Sequence, residues 1–227
     1  LPDDASPAEL GEAVVRVLEE EARTAADAAD AARARGDALP SLHGVPVTTK
    51  VNVDQAGLPT DNGVVAFKDL VAKEDNPVVA NLKHAGAIVV GRTNAPAFSM
   101  RAFTDNALHG QTLNPRDPSV ASGGSSGGAG VAIATGIGPI AHGNDIGGSV
   151  RIPAYCNGVV GLRTGFGRIP AFNPSAPQGL ALSRMLMVTQ GPLTRTVRDA
   201  RLALGAMARG DRRDWRWSEA PVHGPPP

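Results

Sequence analysis

The sequence predicts an α/β fold in which helices cover a largely parallel sheet, and three observations support it. Residues 44–53 are rich in the β-branched side chains typical of a strand. Residues 77–84 have a helical pattern that Gly86 can end, and the apolar residues 87–90 follow at once as a short buried strand. A hydrophobic content of 42% is enough for a sizeable core. A helix leading directly into a buried strand favours a layered α/β architecture.

The N-terminus carries the signals of a helix. Ser6 is placed as the N-cap, Pro7 follows at the first helical position, and Glu9 completes a capping box. A helical apolar stripe then runs as far as Gly36, which can end the helix, and its members are Leu10, Val14, Val17, Leu18, Ala22, Ala25 and Ala29. The pattern therefore predicts an N-terminal helical segment over residues 1–38.

A second capping box, formed by Thr196 and Asp199, predicts another helix near the end of the chain. From residue 209 onward the chain is polar and ends in Pro-Pro-Pro, which is typical of a linker or terminal loop. These limits divide the chain into the helical segment, a core over residues 39–208 and a Pro-rich tail over residues 209–227.

Composition excludes several classes of function. The 22 Lys and Arg residues balance 22 Asp and Glu residues, so the chain lacks the basic excess typical of a protein that binds nucleic acid. No apolar run approaches the roughly 18 residues that cross a membrane. The single cysteine, Cys156, excludes an internal disulfide and favours a reducing compartment such as the cytoplasm. The five histidines lack a metal-binding spacing.

A Gly/Ser-rich stretch at residues 121–130 precedes a helical pattern and is the most informative part of the chain. It lacks the lysine of a phosphate-binding loop, and no apolar strand precedes it as in a dinucleotide-binding turn. It matches G-x-S-x-G at Ser125 and at Ser126, the pattern of a hydrolase nucleophile, with Asp199 and His223 in the right order to be its partners. A flexible polar loop explains the same composition.

A second cluster lies at residues 143–154. Within it, Ile146, Gly147 and Gly148 can present successive backbone N–H groups around one point, because two of the three lack a Cβ. Fixed donors of this kind are what an oxyanion hole needs. Ser149, the next residue, is then the candidate attacking group.

Three ordered motifs together resemble the amidase signature family of serine hydrolases. They are Gly-Val-Pro-Val-Thr-Thr-Lys at residues 44–50, Gly-Gly-Ser-Ser-Gly-Gly at 123–128 and Asp-Ile-Gly-Gly-Ser-Val-Arg-Ile-Pro at 145–153. The similarity covers roughly residues 39–208. It implies a mixed, twisted β-sheet sandwiched between α-helices. Family members are about twice as long, so the resemblance also implies that the fold is incomplete in this chain.

The resemblance implies a Ser-cisSer-Lys triad. By position in the motifs, Ser149 matches the nucleophile, Ser125 the bridging serine after a cis peptide bond, and Lys50 the catalytic lysine. Ser126, Asp145 and Arg151 fall where they can support the site or bind substrate. For Asp145 and Arg151 an ordinary structural ion pair is the alternative. His142 is expected to be a satisfied loop histidine, and a place in the lining of the site is its alternative.

The implied function is hydrolysis of a small-molecule carboxylic amide to an acid and ammonia or an amine, without a metal or organic cofactor. The implied partners are that substrate, a homo-oligomer or a complementary C-terminal half, with no membrane and no directly bound nucleic acid. Two alternatives stay open: the glutaminase-type subunit of a tRNA-dependent amidotransferase, and an inactive truncated binding module. Asn144 departs from the family, which commonly has threonine there.

Overall fold

The computed structural model describes residues 13–175 and 182–221, which form a six-stranded sheet, a short hairpin and six helices. The strands are β1 (Val14–Val17), β2 (Pro46–Lys50), β3 (Ile88–Thr93), β4 (Asp105–Asn106), β5 (Gly110–Gln111), β6 (Ile140–Asp145), β7 (Val160–Gly161) and β8 (Thr189–Thr194). The helices are α1 (Glu19–Ala34), α2 (Pro77–His84), α3 (Gly127–Ala134), α4 (Arg151–Asn157), α5 (Leu182–Met187) and α6 (Val197–Met207). Short 3₁₀ turns lie at Val65–Phe67 and Ala97–Ser99.

The sheet is mixed, with a parallel centre and antiparallel edges. Its strand order is β1-β3-β2-β6-β8-β7, and β2 is parallel to both β3 and β6. The remaining pairs, β1 with β3, β6 with β8 and β7 with β8, are antiparallel. The parallel order predicted from the helix-then-strand pattern therefore holds for the three central strands, whereas the whole sheet has the mixed character that the family resemblance implies.

Helices cover both faces of the sheet. On one face, Val47 and Ile140 pack with residues of α2 and α6, including Leu82 and Met207. On the other face, α3 and α4 pack against Ala141 and Leu193 through a smaller cluster. Successive side chains of a strand alternate between faces, so Lys50, three residues after Val47, lies on the α3 side. The central strand thus delivers Lys50 to the N-terminal end of α3.

The N-terminal segment differs from the predicted surface helix or helix pair. Val14–Val17 forms an edge strand that pairs with β3, and α1 begins only at Glu19. The sequence Val-Val-Arg-Val has a high β-propensity, and pairing with β3 satisfies its backbone groups. The predicted start of the helix at Ser6 lies outside the described residues.

Helices α2 and α6 occur where the sequence predicts them. Asn76 caps α2 by accepting from the Val78 N–H, and Thr196 caps α6 by accepting from the Asp199 N–H. After α6, residues 209–221 fold back onto the core: the Trp217 indole N–H donates to Ala208 O at 3.1 Å. None of the helices within residues 13–175 and 182–221 has the length and apolar character to cross a bilayer.

Candidate active site

Lys50 is the last residue of the central strand β2, and its side chain is fully buried. Burial disfavours the ammonium form and lowers the pKa of Lys50 to about 7, although the negative charge of Asp145 acts in the opposite direction. Arg92 on β3 fixes the adjoining backbone, since its guanidinium donates to Lys50 O at 3.1 Å and to Val53 O at 2.7 Å. The strand therefore holds an amine that can be neutral near physiological pH.

Three oxygens surround the amine of Lys50. The Nζ atom lies 2.8 Å from Ser125 Oγ, 3.1 Å from Ser126 Oγ and 3.0 Å from Asn144 Oδ1. Both serines are buried in the loop that enters α3, and Asn144 is near the end of β6. The family resemblance predicts that Lys50 meets Ser125, and the structure brings these two together. The contact of Ser126 with Lys50 is more specific than the supporting role expected for Ser126.

The loop that carries these serines is held by close backbone contacts. The peptide bond between Gly124 and Ser125 is cis, as the family resemblance predicts. A Cβ on Gly124 would lie 2.6 Å from Arg101 O. The two backbone segments can therefore approach this closely only if residue 124 is glycine. Thr104 ties both sides of the turn: its hydroxyl donates to Gly123 O at 2.9 Å and accepts from the Gly127 N–H at 3.1 Å.

Ser149 lies in the turn between β6 and α4, beside the serine loop. The Ser126 N–H donates to Ser149 O at 3.1 Å, which joins the two glycine- and serine-rich clusters. The side chain of Ser149 is only partly buried, in contrast to those of Ser125 and Ser126. Ser149 is therefore the member of the predicted triad that solvent can reach.

Asp145 organises the turn that contains Ser149. Its carboxylate accepts from the N–H groups of Gly148 at 2.8 Å and Val150 at 3.1 Å, and it pairs with the Arg151 guanidinium at 3.0 Å. Burial acts to raise the pKa of Asp145, but these hydrogen bonds outweigh it and hold the pKa at about 2. The predicted pair of Asp145 and Arg151 is thus an ion pair that also shapes the loop.

The predicted oxyanion donors differ in what they contact. The Gly148 N–H donates to Asp145, the carboxylate that bends the turn, so this donor is engaged in the structure and its place in an oxyanion hole stays a prediction. Within residues 13–175 and 182–221, the N–H groups of Ile146, Gly147 and Ser149 have no hydrogen-bond partner. Gly147 is also open, since nothing lies within 4 Å of a Cβ placed there. These three groups are the donors left for an anion.

His142 is fully buried on β6 and has both ring nitrogens engaged. Its Nε2 lies 2.7 Å from Gln190 Oε1, and the Lys50 backbone N–H donates to its Nδ1 at 3.4 Å. Burial lowers the pKa of His142 to about 4, so the ring is neutral and donates from Nε2 to Gln190. The histidine is satisfied as expected, but it lies within strand β6 and not in a loop.

The alternative nucleophile arrangement gains no support from the described residues. Asp199 belongs to the capping box of α6 and accepts from the Thr196 hydroxyl at 2.8 Å, while His223 lies outside the described residues. Cys156 is half-buried, and burial raises the pKa of its thiol, which disfavours the reactive thiolate.

Two contacts of the candidate site were missed by sequence reasoning: Asn144 as a direct partner of Lys50, and Asn52 as a partner of Asn144. Asn52 and Asn144 form a reciprocal pair of amide hydrogen bonds at 2.9 and 3.1 Å. Asn144 was noticed in the sequence only as a departure from a common threonine. Its position next to Asp145 was the available signal, whereas nothing in the local pattern pointed to Asn52.

The chain combines a mixed sheet covered by helices with a buried lysine between two serines. Comparison with known proteins identifies the family to which it belongs. A family model described as Amidase matches residues 6–226, and the chain belongs to this family. Its structural neighbours include a bacterial aryl acylamidase of the amidase signature family, with a TM-score of 0.84 and 34% identity over 91% of this chain and 42% of that one. The peptide amidase from Stenotrophomonas maltophilia has a TM-score of 0.84 and 30% identity over 96% of this chain and 44% of that one.

Among relatives by sequence, an indoleacetamide hydrolase of Bradyrhizobium diazoefficiens is 60% identical over 95% of this chain. A glutamyl-tRNA(Gln) amidotransferase subunit of Maridesulfovibrio salexigens is 38% identical over 92% of this chain. The chain spans 41% and 42%, respectively, of the length of these two relatives.

Proposed function

We propose that this protein hydrolyses a carboxylic amide through an acyl-enzyme formed on Ser149. The observation that carries the proposal is the fully buried Lys50 amine 2.8 Å from Ser125 Oγ, in a loop hydrogen-bonded to the turn that contains Ser149. A buried lysine without a carboxylate contact is costly unless its neutral form is used. A neutral amine next to the Ser125 loop, which adjoins the Ser149 turn, can act as the proton acceptor of a relay between the two serines.

In this proposal, neutral Lys50 accepts the hydroxyl proton of Ser125, and Ser125 takes the proton of Ser149 as Ser149 Oγ attacks the amide carbon. The new C–O bond forms while the carbonyl electrons move onto oxygen. The relay then returns a proton to the leaving nitrogen, the C–N bond breaks, and water releases the acid from Ser149 by the same route. Neither step requires a metal or an organic cofactor.

The negative oxygen of the tetrahedral intermediate is assigned to the N–H groups of Ile146, Gly147 and Ser149. Donors already fixed before the reaction stabilise developing charge without the cost of reorganising. Asp145 supports them indirectly, because it holds the turn through Gly148 and Val150. In this scheme, Asp145 and Arg151 set the shape of the anion site and do not exchange protons.

For the substrate, we propose a primary amide of an arylacetic acid, with indoleacetamide as the first compound to test. The support is the 60% identity with an indoleacetamide hydrolase, against 38% with the amidotransferase protein. The products are then the free acid and ammonia. Glutamine is the discriminating comparison, because a glutaminase subunit would release ammonia from it.

The test combines covalent labelling with turnover. The purified protein is treated with a fluorophosphonate, the adduct is mapped by peptide mass spectrometry, and ammonia release from indoleacetamide and from glutamine is measured. We expect an adduct on Ser149 that is lost in Lys50→Ala and retained in Ser119→Ala, a control at an exposed serine. Labelling of Lys50→Ala at the normal rate would rule out the relay, and release of ammonia from glutamine alone would favour the amidotransferase role.

A further inference from the structure

The amine of Lys50 contacts more fixed groups than a base strictly needs. A neutral amine has two N–H donors and one lone pair, whereas three oxygens, Ser125 Oγ, Ser126 Oγ and Asn144 Oδ1, lie within 2.8–3.1 Å of Nζ. For the lone pair to accept a proton from Ser125, both N–H groups must point to the other two oxygens. The acceptors at Ser126 and Asn144 therefore decide where the lone pair points.

The orientation of the Asn144 amide is fixed by Asn52. Asn144 Nδ2 donates to Asn52 Oδ1 at 2.9 Å, and Asn52 Nδ2 donates back to Asn144 Oδ1 at 3.1 Å. Rotation of the Asn144 amide alone by half a turn would oppose N–H to N–H and oxygen to oxygen. The pair thus holds the Asn144 oxygen toward Lys50. A rotated Asn144 would instead donate to the lone pair and compete with Ser125 for it.

Asn52 is itself held by a further contact. Its Nδ2 also donates to Ser99 Oγ at 2.9 Å, and the Ser99 hydroxyl donates to Asn62 Oδ1 at 2.7 Å. Ser99 and Asn62 have φ angles of 57° and 50°, in the left-handed region that non-glycine residues seldom adopt. The hydrogen bonds therefore link the Asn52–Asn144 pair through Ser99 to a loop with unusual backbone angles.

We propose that Asn144 and Asn52 act together as positioning residues that aim the lone pair of Lys50 at Ser125. The inference rests on the proposed function, because it concerns the same proton relay. The contact of Nζ with Asn144 Oδ1 is also favourable when the amine is protonated. All three N–H groups of the ammonium then have an oxygen acceptor, and no side chain needs to move. The amide pair supports both ends of the proton transfer.

The pH dependence of Lys50 can be measured without interference from its neighbours. The titratable groups that face it are Asp145 and His142 on β6 and Arg92 on β3. Their pKa values of about 2, 4 and 10 keep each group mostly in one charge state around pH 7, where Lys50 titrates. A titration around this pH therefore reports Lys50.

The first test is a double-mutant cycle with Asn52→Leu, Asn144→Leu and the double variant, read as the rate of fluorophosphonate labelling of Ser149. We expect each single variant to be roughly tenfold slower, a part of the usual general-base contribution. The double variant should be no slower than Asn144→Leu alone, because Asn52 acts only through Asn144. Effects that add would overturn the proposal.

The second test measures the pKa of Lys50 directly by NMR titration of its 13C-labelled ε-methylene, assigned with Lys50→Met. Both leucine variants should lower this pKa, because the ammonium loses an oriented acceptor, whereas Asn52→Asp should raise it by adding a negative charge and still accepting from Asn144. An unchanged pKa in both leucine variants would overturn the proposal. This readout does not depend on Ser149, so failure of the wild type to label would count against the proposed function alone.

Two further variants separate positioning from stability. Asn81→Leu removes a buried amide on the other side of the sheet that donates to Met207 O and Arg209 O, so it should lower the melting temperature without moving the pKa of Lys50. Asn144→Thr keeps an oxygen near Lys50 and should make labelling insensitive to Asn52→Leu. If the threonine variant stayed sensitive to Asn52, the proposed route through Asn144 would be wrong. Thermal melts show which variants are folded.

Discussion

Lys50 shows at the scale of one residue how burial favours a neutral amine, the form that the proposed relay needs. Desolvation of its ammonium lowers the pKa to about 7, while Asp145 limits the shift by its charge. We expect the rate of Ser149 labelling to rise with pH around a midpoint near 7, because only the neutral amine can accept a proton. The measurement is the labelling rate across the range from about pH 5 to pH 9. A rate that fell with rising pH would contradict the assignment of Lys50 as the base.

The same lysine should make folding stability depend on pH. Its pKa is about 7 in the folded protein and 10.5 as the unperturbed reference, so between these values the unfolded chain binds the proton that the folded protein has lost. The free energy of unfolding therefore rises with pH over this window. Relative to Lys50→Met, the wild type should gain about 4 kcal/mol between about pH 7 and pH 10.

Urea unfolding of the two proteins at several pH values measures this difference. The comparison cancels every titratable group that the two proteins share, provided that the variant keeps its fold. Parallel stability curves would mean that Lys50 is charged in the folded protein above pH 7.

Sequence reasoning placed Lys50 next to Ser125 because the motifs of a resembling family indicate which residues meet, and a hydrogen bond of 2.8 Å between the two side chains is present. It could not predict the partner of each donor. Gly148 was expected to face an anion, but the carboxylate of Asp145 reaches its N–H first. The orientation of an amide such as Asn144 depends on a residue 92 positions away, which no local pattern encodes.

At the scale of the element, helix α3 packs directly against backbone atoms just before β1 and just after β3. A Cβ on Gly128 would lie 2.5 Å from both Ala13 O and Asn94 N, so backbone atoms occupy the space of any side chain. Gly205 in α6 is the opposite case, since it is exposed and nothing lies within 4 Å of its added Cβ. Close packing therefore requires glycine at position 128, whereas nothing in the packing requires it at position 205.

These contacts predict opposite signs for the same substitution. Gly128→Ala should destabilise the protein by about 1–3 kcal/mol because backbone segments must separate. Gly205→Ala should stabilise it by about 0.5–1 kcal/mol because alanine loses less backbone entropy on entering a helix. Thermal or urea unfolding of both variants provides the measurement, and a stabilised Gly128→Ala would show that α3 can move away from β3.

Predictions of elements succeeded where the signal was local. Asn76 and Thr196 cap helices that begin where the sequence places them. Val14–Val17 was expected in a helix because an apolar spacing of three and four residues also fits two of its three valines, Val14 and Val17. Pairing with β3 decided the outcome, and that pairing joins residues about 75 positions apart, such as Val17 and Gly91.

At the scale of the whole molecule, the α/β class was predictable from the order of helices and strands, but the packing of the last residues was not. Residues 209–227 were expected to form a linker or terminal loop from their composition. Within them, Asp214 is 5% exposed, accepts from the Ala171 N–H at 2.6 Å and pairs with Arg216 at 2.7 Å. This part of the tail closes over the core.

Asp214→Ala should therefore destabilise the protein by about 2–3 kcal/mol, because it leaves the Arg216 charge and a backbone N–H without their partner. Asp211→Ala is the matched control: Asp211 also pairs with an arginine, Arg213, but is more exposed, so its loss should cost less than about 1 kcal/mol. Urea unfolding distinguishes them. Equal, small effects would indicate that the tail does not contribute to the cooperative unit.

The position of Lys50 in the central strand also has a consequence for synthesis of the chain. Its partner Asn144 follows 94 residues later, so translation at 5–20 residues per second delays that partner by roughly 5 to 20 seconds. Until β6 has been synthesised, the Lys50 amine lacks this acceptor, and the burial that lowers its pKa in the folded protein is incomplete. The surroundings of Lys50 therefore form only late in synthesis, although β2 itself is made early.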